Sequence, residues 1–161
     1  MMASAPANVH IYLYNGIGNL PFFNPETEHE ALTAVEDWRR HVQAADGVII
    51  CTPEYAFGVP GVLKNALDWL VGSGELNGKP VAAISASPLA TGGDKALLSL
   101  ENTLTALGTI KSENTLLKIP FTGKKLDAAG ALTDETTKEQ LSNVLNVLLD
   151  AIALVKSNVV E

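Results

Sequence analysis

An α/β fold, with a parallel sheet sandwiched between helical layers, follows from two features of the sequence. Strand-like segments alternate with helical ones along the chain, and the two middle strands, near Gly47–Cys51 and Lys79–Ser87, are apolar almost throughout. A strand covered on both faces has that composition, whereas a strand with one wet face alternates. At 161 residues the chain is most simply one domain. It is long enough to bury roughly two-thirds of its unfolded surface without covalent staples.

Each element has its own signal. Val9–Tyr14, VHIYLY, is rich in β-branched and aromatic residues and reads as the first strand. NGIGNLPFFNPET then marks a long irregular connection through its glycines, asparagines and prolines. Residues 28–44 read as a helix, because Leu32, Val35, Trp38 and Val42 recur at three- and four-residue spacing. DGVIICTP is a short apolar strand closed by a proline, and GVLKNALDWLV is a second helix. KPVAAISAS is another buried strand. PLATGGD is a loop, with Asp94 placed to cap a helix running to about Leu107. NTLLKIPF is the last strand, and Thr133 or Asp134 starts a long helix through NVLNVLLDAIALV. No repeat or low-complexity tract interrupts this order, and the first and last few residues are expected to be loose.

Composition removes several function classes. The net charge of −7 argues against nucleic acid and against an anionic membrane surface as partners. The opening MMASAPANVHIYLYN has no basic leader region, and no apolar run approaches bilayer length. Cys51 is the sole cysteine, so no intrachain disulfide forms, which fits a reducing compartment. A cytoplasmic protein with a small-molecule partner is the expectation.

In open parallel α/β sheets, ligands bind at the carboxyl ends of the strands. Two loops lie there: TPEYAFGVPG after the strand ending near Cys51, and SASPLATGG after the next. Tyr55 and Phe57 offer aromatic faces, while Gly58, Gly92 and Gly93 let backbone come close to a neighbour. The helix beginning at Pro60 and Gly61 turns its free amides toward the same end. The stretch reads either as a wall for a planar, electron-rich ligand or as a tight strand-to-helix turn with no ligand. Glu54 reads either as a polar neighbour of that ligand or as a turn residue satisfying local amides.

Other signals carry less. Gly16-Ile17-Gly18 lacks the third glycine of a dinucleotide fingerprint, having Pro21 instead, and no helix follows it directly. Cys51, at the end of a buried strand, reads as a packed, inert thiol. His10, His29 and His41 show no metal-ligand spacing. Ser85 and Ser87 are not in a nucleophile elbow. Lys64 and Asp68, one turn apart, read as a surface pair, and Trp38 and Trp69 as core or interface residues.

The run from Pro53 to Trp69 carries a longer pattern. Pro53, Glu54 and Tyr55, then Pro60, Gly61, Leu63, Lys64, Asn65, Ala66, Asp68 and Trp69, followed by LNGKPVAAISASPLATGG, closely resemble the NADPH-dependent FMN reductase family, which includes quinone and chromate reductases. The resemblance runs from about Val9 to at least Leu107. It implies a flavodoxin-like three-layer sandwich, FMN held at the strand ends, NADPH or NADH as electron donor, and a flavin, quinone or similar small acceptor. It also implies a homodimer or homotetramer. Carried over position by position, Pro53, Glu54, Tyr55, Ala56, Phe57 and Gly58 of one loop, and Ser87, Pro88, Thr91, Gly92 and Gly93 of the other, would contact the flavin ring. No acid–base or nucleophilic catalytic residue and no metal is expected, since the hydride chemistry belongs to the cofactor.

Two departures from the family pattern stand out. Many members have Asn directly after Pro-Glu-Tyr, where this chain has Ala56, so a side-chain contact to the flavin is absent. The usual opening strand, its Gly-Ser-x-Arg phosphate loop and the first helix do not occur in this sequence; MMASAPANVHIYLYN resembles the end of that helix followed by the second strand, so that Met1 or Met2 would be an internal methionine of a longer ancestor or a misassigned start. The expected consequences are an unpaired apolar edge, in which each unpaired buried backbone group costs about 1–3 kcal/mol, and weaker FMN binding. Val9–Tyr14 would then pair with the Gly47–Cys51 strand, a partner chain would supply a strand, or the fold would be unstable. The rival function is a non-catalytic flavodoxin-like remnant acting through self-association.

Overall fold

The computed structural model describes residues 5–158. Three strands, β1 (Val48–Thr52), β2 (Val81–Ala86) and β3 (Leu116–Ile119), form a sheet in the order β1-β2-β3, and both pairs are parallel. Four helices accompany them: α1 (Thr33–Ala44), α2 (Gly61–Asp68), α3 (Asp94–Ala106) and α4 (Glu135–Asn158).

The central strand explains the three layers. Successive side chains of a strand point to opposite faces. Val81 and Ala83 therefore enter a core with Val42 of α1, Leu67 of α2, and Leu100 and Leu104 of α3. Ala82 and Ile84 enter a second core with Val144 and Leu148 of α4. The flavodoxin-like sandwich expected from the sequence is the architecture found, with α1–α3 on one face and α4 on the other.

β1 is less enclosed than its composition suggests. It is an edge strand, α4 packs on β2 and β3, and Cys51 is exposed rather than packed away. Val9–Tyr14 is not a strand. Extended backbone becomes a strand only where a neighbour offers a ladder, and none of β1–β3 runs beside this segment. Its rings find a helix instead: Tyr12 stacks on His41, Tyr14 packs against Trp38, and the Tyr14 hydroxyl donates to Asp37 at 3.0 Å. Of the three outcomes weighed for this edge, the inward move to pair with β1 does not occur. Met1 and Met2 lie outside the described residues, as do the last three positions, so the expectations placed on them find no test here.

The irregular connection is pinned by the Pro-Gly-x-Leu-Lys-Asn-Ala-x-Asp-Trp run. Trp69, fully buried, donates its indole N–H to Pro21 O at 2.9 Å. Asn65 donates to the same carbonyl and accepts from Phe23 N. Leu20, Val35, Ala66 and Trp69 close a third small core around them. Trp38, half-buried, donates to Ala66 O, joining α1 to α2. Both tryptophans are thus structural, as their sequence context suggests. Gly16–Gly18 leads into a 3-10 turn over Ile17–Asn19 rather than a phosphate-binding helix.

Helix boundaries shift for local reasons. α1 starts at Thr33, because residues 25–27 form their own 3-10 turn, with the Asn24 side chain accepting from Glu26 N. α2 ends at Asp68, and Lys64 pairs with Asp68 on its surface. α4 begins at Glu135, just past the expected start at Thr133 or Asp134, and the Asp134 Oδ2 accepts from Thr137 N at 2.9 Å.

Candidate functional site

Both candidate loops leave the same end of the sheet, because β1 and β2 are parallel neighbours. After Pro53 and Glu54, a two-residue turn closes between Tyr55 and Gly58 through two backbone hydrogen bonds of 2.9 and 3.0 Å. Its central residues, Ala56 (φ 49°) and Phe57 (φ 62°), are both left-handed. A tight hairpin of this hand demands positive φ and normally recruits Asn or Gly. Here the turn carries alanine and phenylalanine, and it holds Tyr55 and Phe57 65% and 78% exposed.

The second loop is braced from below. Ser87 N donates to Ile119 O, the Ser87 hydroxyl accepts from Leu89 N, and Ser87 O accepts from Thr122 N. Pro88 and Thr91 are exposed, whereas Gly92 and Gly93 are buried. The glycines face the sheet at close quarters. A Cβ on Gly92 would lie 2.9 Å from Pro120 N, and one on Gly93 only 2.0 Å from Ser85 Oγ. Their small size thus has a packing cause within the fold.

One carboxylate joins the two loops. Glu54 Oε2 accepts from Lys95 N at 2.9 Å and from Ala96 N at 3.0 Å, in the first turn of α3. The residue preceding that helix is Gly93, and Asp94 does not cap it; the cap comes from another loop. Asp94 sits inside the helix, where its own carboxylate cannot reach back to the free amides as a preceding residue would. Neither sequence alternative for Glu54 anticipates this, since the amides it satisfies are forty-one and forty-two residues away rather than local. Nearby, Ser85 Oγ and Asp94 Oδ1 are buried without a hydrogen-bond partner among the described residues.

Below the loops opens an apolar cavity of about 480 Å³ lined by Cys51, Thr52, Pro53, Ile84, Ala86, Ile119 and Leu141. Burial against this wall raises the pKa of the Cys51 thiol, so it stays protonated at neutral pH although the residue is exposed. Phe121 stands at the same sheet end, with its amide on Leu89 O and the Lys124 ammonium 5.5 Å from its ring centre. Sequence reasoning misses Phe121. The signal was available: it ends the third strand-like segment, and the strand-end rule applied to the first two applies to it equally.

The whole of both loops falls within one match. Residues 2–121 match the family described as NADPH-dependent FMN reductase. This chain belongs to that family. An NAD(P)H-dependent FMN reductase of Pseudomonas aeruginosa is 33% identical over 135 residues, covering 82% of this chain and 73% of its own length. A quinone reductase of Escherichia coli is 31% identical over 157 residues, covering 94% and 84%. Among solved structures, the flavoenzyme NAD(P)H:(acceptor) oxidoreductase FerB from Paracoccus denitrificans superposes with a TM-score of 0.76 at 32% identity, covering 85% of this chain and 77% of FerB.

The family's cofactors are FMN and a nicotinamide nucleotide. The residues present in this FMN reductase fold suit the flavin ring: an apolar cavity, three exposed aromatic side chains and backbone-rich loops meet at one sheet end. The phosphate is served less well. The residues lining the cavity include no cation, and Glu54 already occupies the first amides of α3. Among the described residues, no group of His, Cys, Asp and Glu is arranged to hold a metal ion.

Proposed function

We infer that this protein is an NAD(P)H-dependent reductase that carries FMN and reduces flavins, quinones or similar small acceptors. The observation that carries the inference is the family match across residues 2–121, which spans the β1 loop and the β2 loop. Reductases of flavin and quinone substrates among its relatives support the same reading. When bound, FMN supplies the hydride chemistry between nicotinamide and acceptor.

In this reading the chain positions and encloses. Pro53, Glu54, Tyr55, Ala56, Phe57 and Gly58 form one wall, and Ser87, Pro88, Thr91, Gly92 and Gly93 form the other. With FMN bound, the exposed Tyr55, Phe57 and Phe121 rings would supply aromatic, apolar surface against the flavin and help to exclude water from it. No side chain moves a proton. The protein works in the cytoplasm as a homodimer or homotetramer. No helix of the described residues is long and apolar enough to cross a membrane. The rival, a non-catalytic self-associating remnant, is not favoured, because the relatives it would descend from are reductases and the loops it would have no use for are firmly braced.

The test is a titration of the purified 161-residue chain with FMN, followed by NADPH oxidation with a benzoquinone acceptor. Saturable FMN binding and acceptor-dependent NADPH oxidation are the expected results. A chain that binds no FMN and leaves NADPH untouched overturns the inference.

A further inference from the structure

Among the described residues, the Glu54 carboxylate is the one side chain whose hydrogen bonds tie the β1 loop to the start of α3. It reaches the helix across the site, while the residue directly before the helix, Gly93, contributes no side-chain cap. The turn that follows Glu54 directly is the left-handed Tyr55–Gly58 turn, and among the described residues no other hydrogen bond reaches it from α3. On the other side, Gly93 is wedged against Ser85 of β2 and Gly92 against the Ile119–Pro120 backbone after β3. The second loop is therefore fixed to the sheet, and the first loop is fixed to the first turn of α3, directly after the second loop, through two hydrogen bonds on one oxygen.

We propose that Glu54 is a positioning residue of the flavin site, whose ionised carboxylate sets the distance between the Tyr55–Gly58 turn and the 87–93 loop. The proposal rests on the reductase reading. Several features make Glu suited to this place. Its charge complements the positive end of α3, and hydrogen bonds from amides to a carboxylate are about twice as strong as neutral ones. Its length matters too, since the two bonds of 2.9 and 3.0 Å are made by a side chain that leaves the end of β1 and crosses to another element. Asp, one methylene shorter, falls short of both amides. Gln keeps the length and one carbonyl oxygen, so it retains the tie in a neutral, weaker form. Because Glu54 holds these amides, they are not open to the FMN phosphate; the helix start acts as an anchor for a loop.

The experiment compares the parent chain with Glu54→Gln, Glu54→Asp and Glu54→Ala. Two readouts need no flavin: hydrogen exchange at the Lys95 and Ala96 amides, and chymotrypsin cleavage at the exposed Tyr55 and Phe57. The third is the FMN dissociation constant. E54A and E54D should speed exchange at both amides, raise cleavage in the turn and weaken FMN by about tenfold, which corresponds to about 1.4 kcal/mol for reordering a loop that has lost its tie. E54Q should stay within about threefold of the parent in all three, since it preserves the tie. A role limited to stability would lower the melting temperature of E54D and leave its FMN affinity at the parent's value at a temperature where both are folded. That result overturns the proposal, as does E54Q weakening as much as E54A. Should E54A fail to fold, the E54D-to-E54Q contrast decides. A parent that binds no FMN sinks the reductase reading and the proposal with it, whereas a binding parent with an equally binding E54D sinks the proposal alone.

Discussion

Gly93→Ala should destabilise the fold sharply, and Ser85→Ala should partly rescue it. Gly93 has φ +80°, where an alanine side chain costs about 1–2 kcal/mol against its own backbone. The added Cβ would also lie 2.0 Å from Ser85 Oγ and 3.1 Å from Ser85 Cβ. Ser85 is fully buried, so it has little room to yield, and overpacking of this kind costs about 1–3 kcal/mol. About 3 kcal/mol for the substitution lowers the melting temperature of a domain this size by roughly 10 °C. Ser85→Ala alone should stabilise slightly, by about 1 kcal/mol, because its hydroxyl is buried with no partner among the described residues. In the double variant the Oγ overlap is gone while the backbone strain remains, so the double variant should melt well above Gly93→Ala and still below the parent. Thermal unfolding followed by far-UV circular dichroism reads all four proteins. A Gly93→Ala variant melting within a degree of the parent refutes the argument. So does a double variant that exceeds Gly93→Ala by no more than Ser85→Ala exceeds the parent, since the two substitutions would then be independent.

Two further outcomes follow from the same geometry. Ala56→Gly should raise stability by about 1 kcal/mol, since φ 49° strains alanine and not glycine, and an unchanged or lower melting temperature would show that the turn bears no such strain. Asp134 is held down to about 2 by the hydrogen bond from the Lys125 ammonium, then by those from the Thr137 hydroxyl and amide. Its folded pKa lies below its unfolded value of 3.8, so its contribution is complete above that value and is lost as pH falls toward 2. Asp134→Asn should therefore lower the melting temperature at neutral pH and flatten its fall between pH 4 and pH 2; an identical acid profile would exclude the linkage.

The layered α/β plan was legible because it depends on short-range patterns. The apolar β2, the helical spacing of Leu32, Val35, Trp38 and Val42, and the Asp134 start of α4 each follow from residues a few positions apart. The Pro53–Trp69 run likewise announced its family from residue types alone. Decisions that hang on a distant neighbour were not legible. VHIYLY has every local preference of a strand, yet a ladder needs a partner, and the rings of Tyr12 and Tyr14 settled on α1. Cys51 sits in an apolar run but on an edge, and being an edge is a property of the sheet rather than of the strand. Glu54 lies in a turn-like stretch, and only the folded chain brings its carboxylate to the amides of Lys95 and Ala96. Periodicity and turn chemistry act within a turn or a strand, so the sequence by itself determined the elements and their order. Pairing and capping act between elements, so the tertiary structure alone decided which edge stays bare and which side chain ties the two loops together.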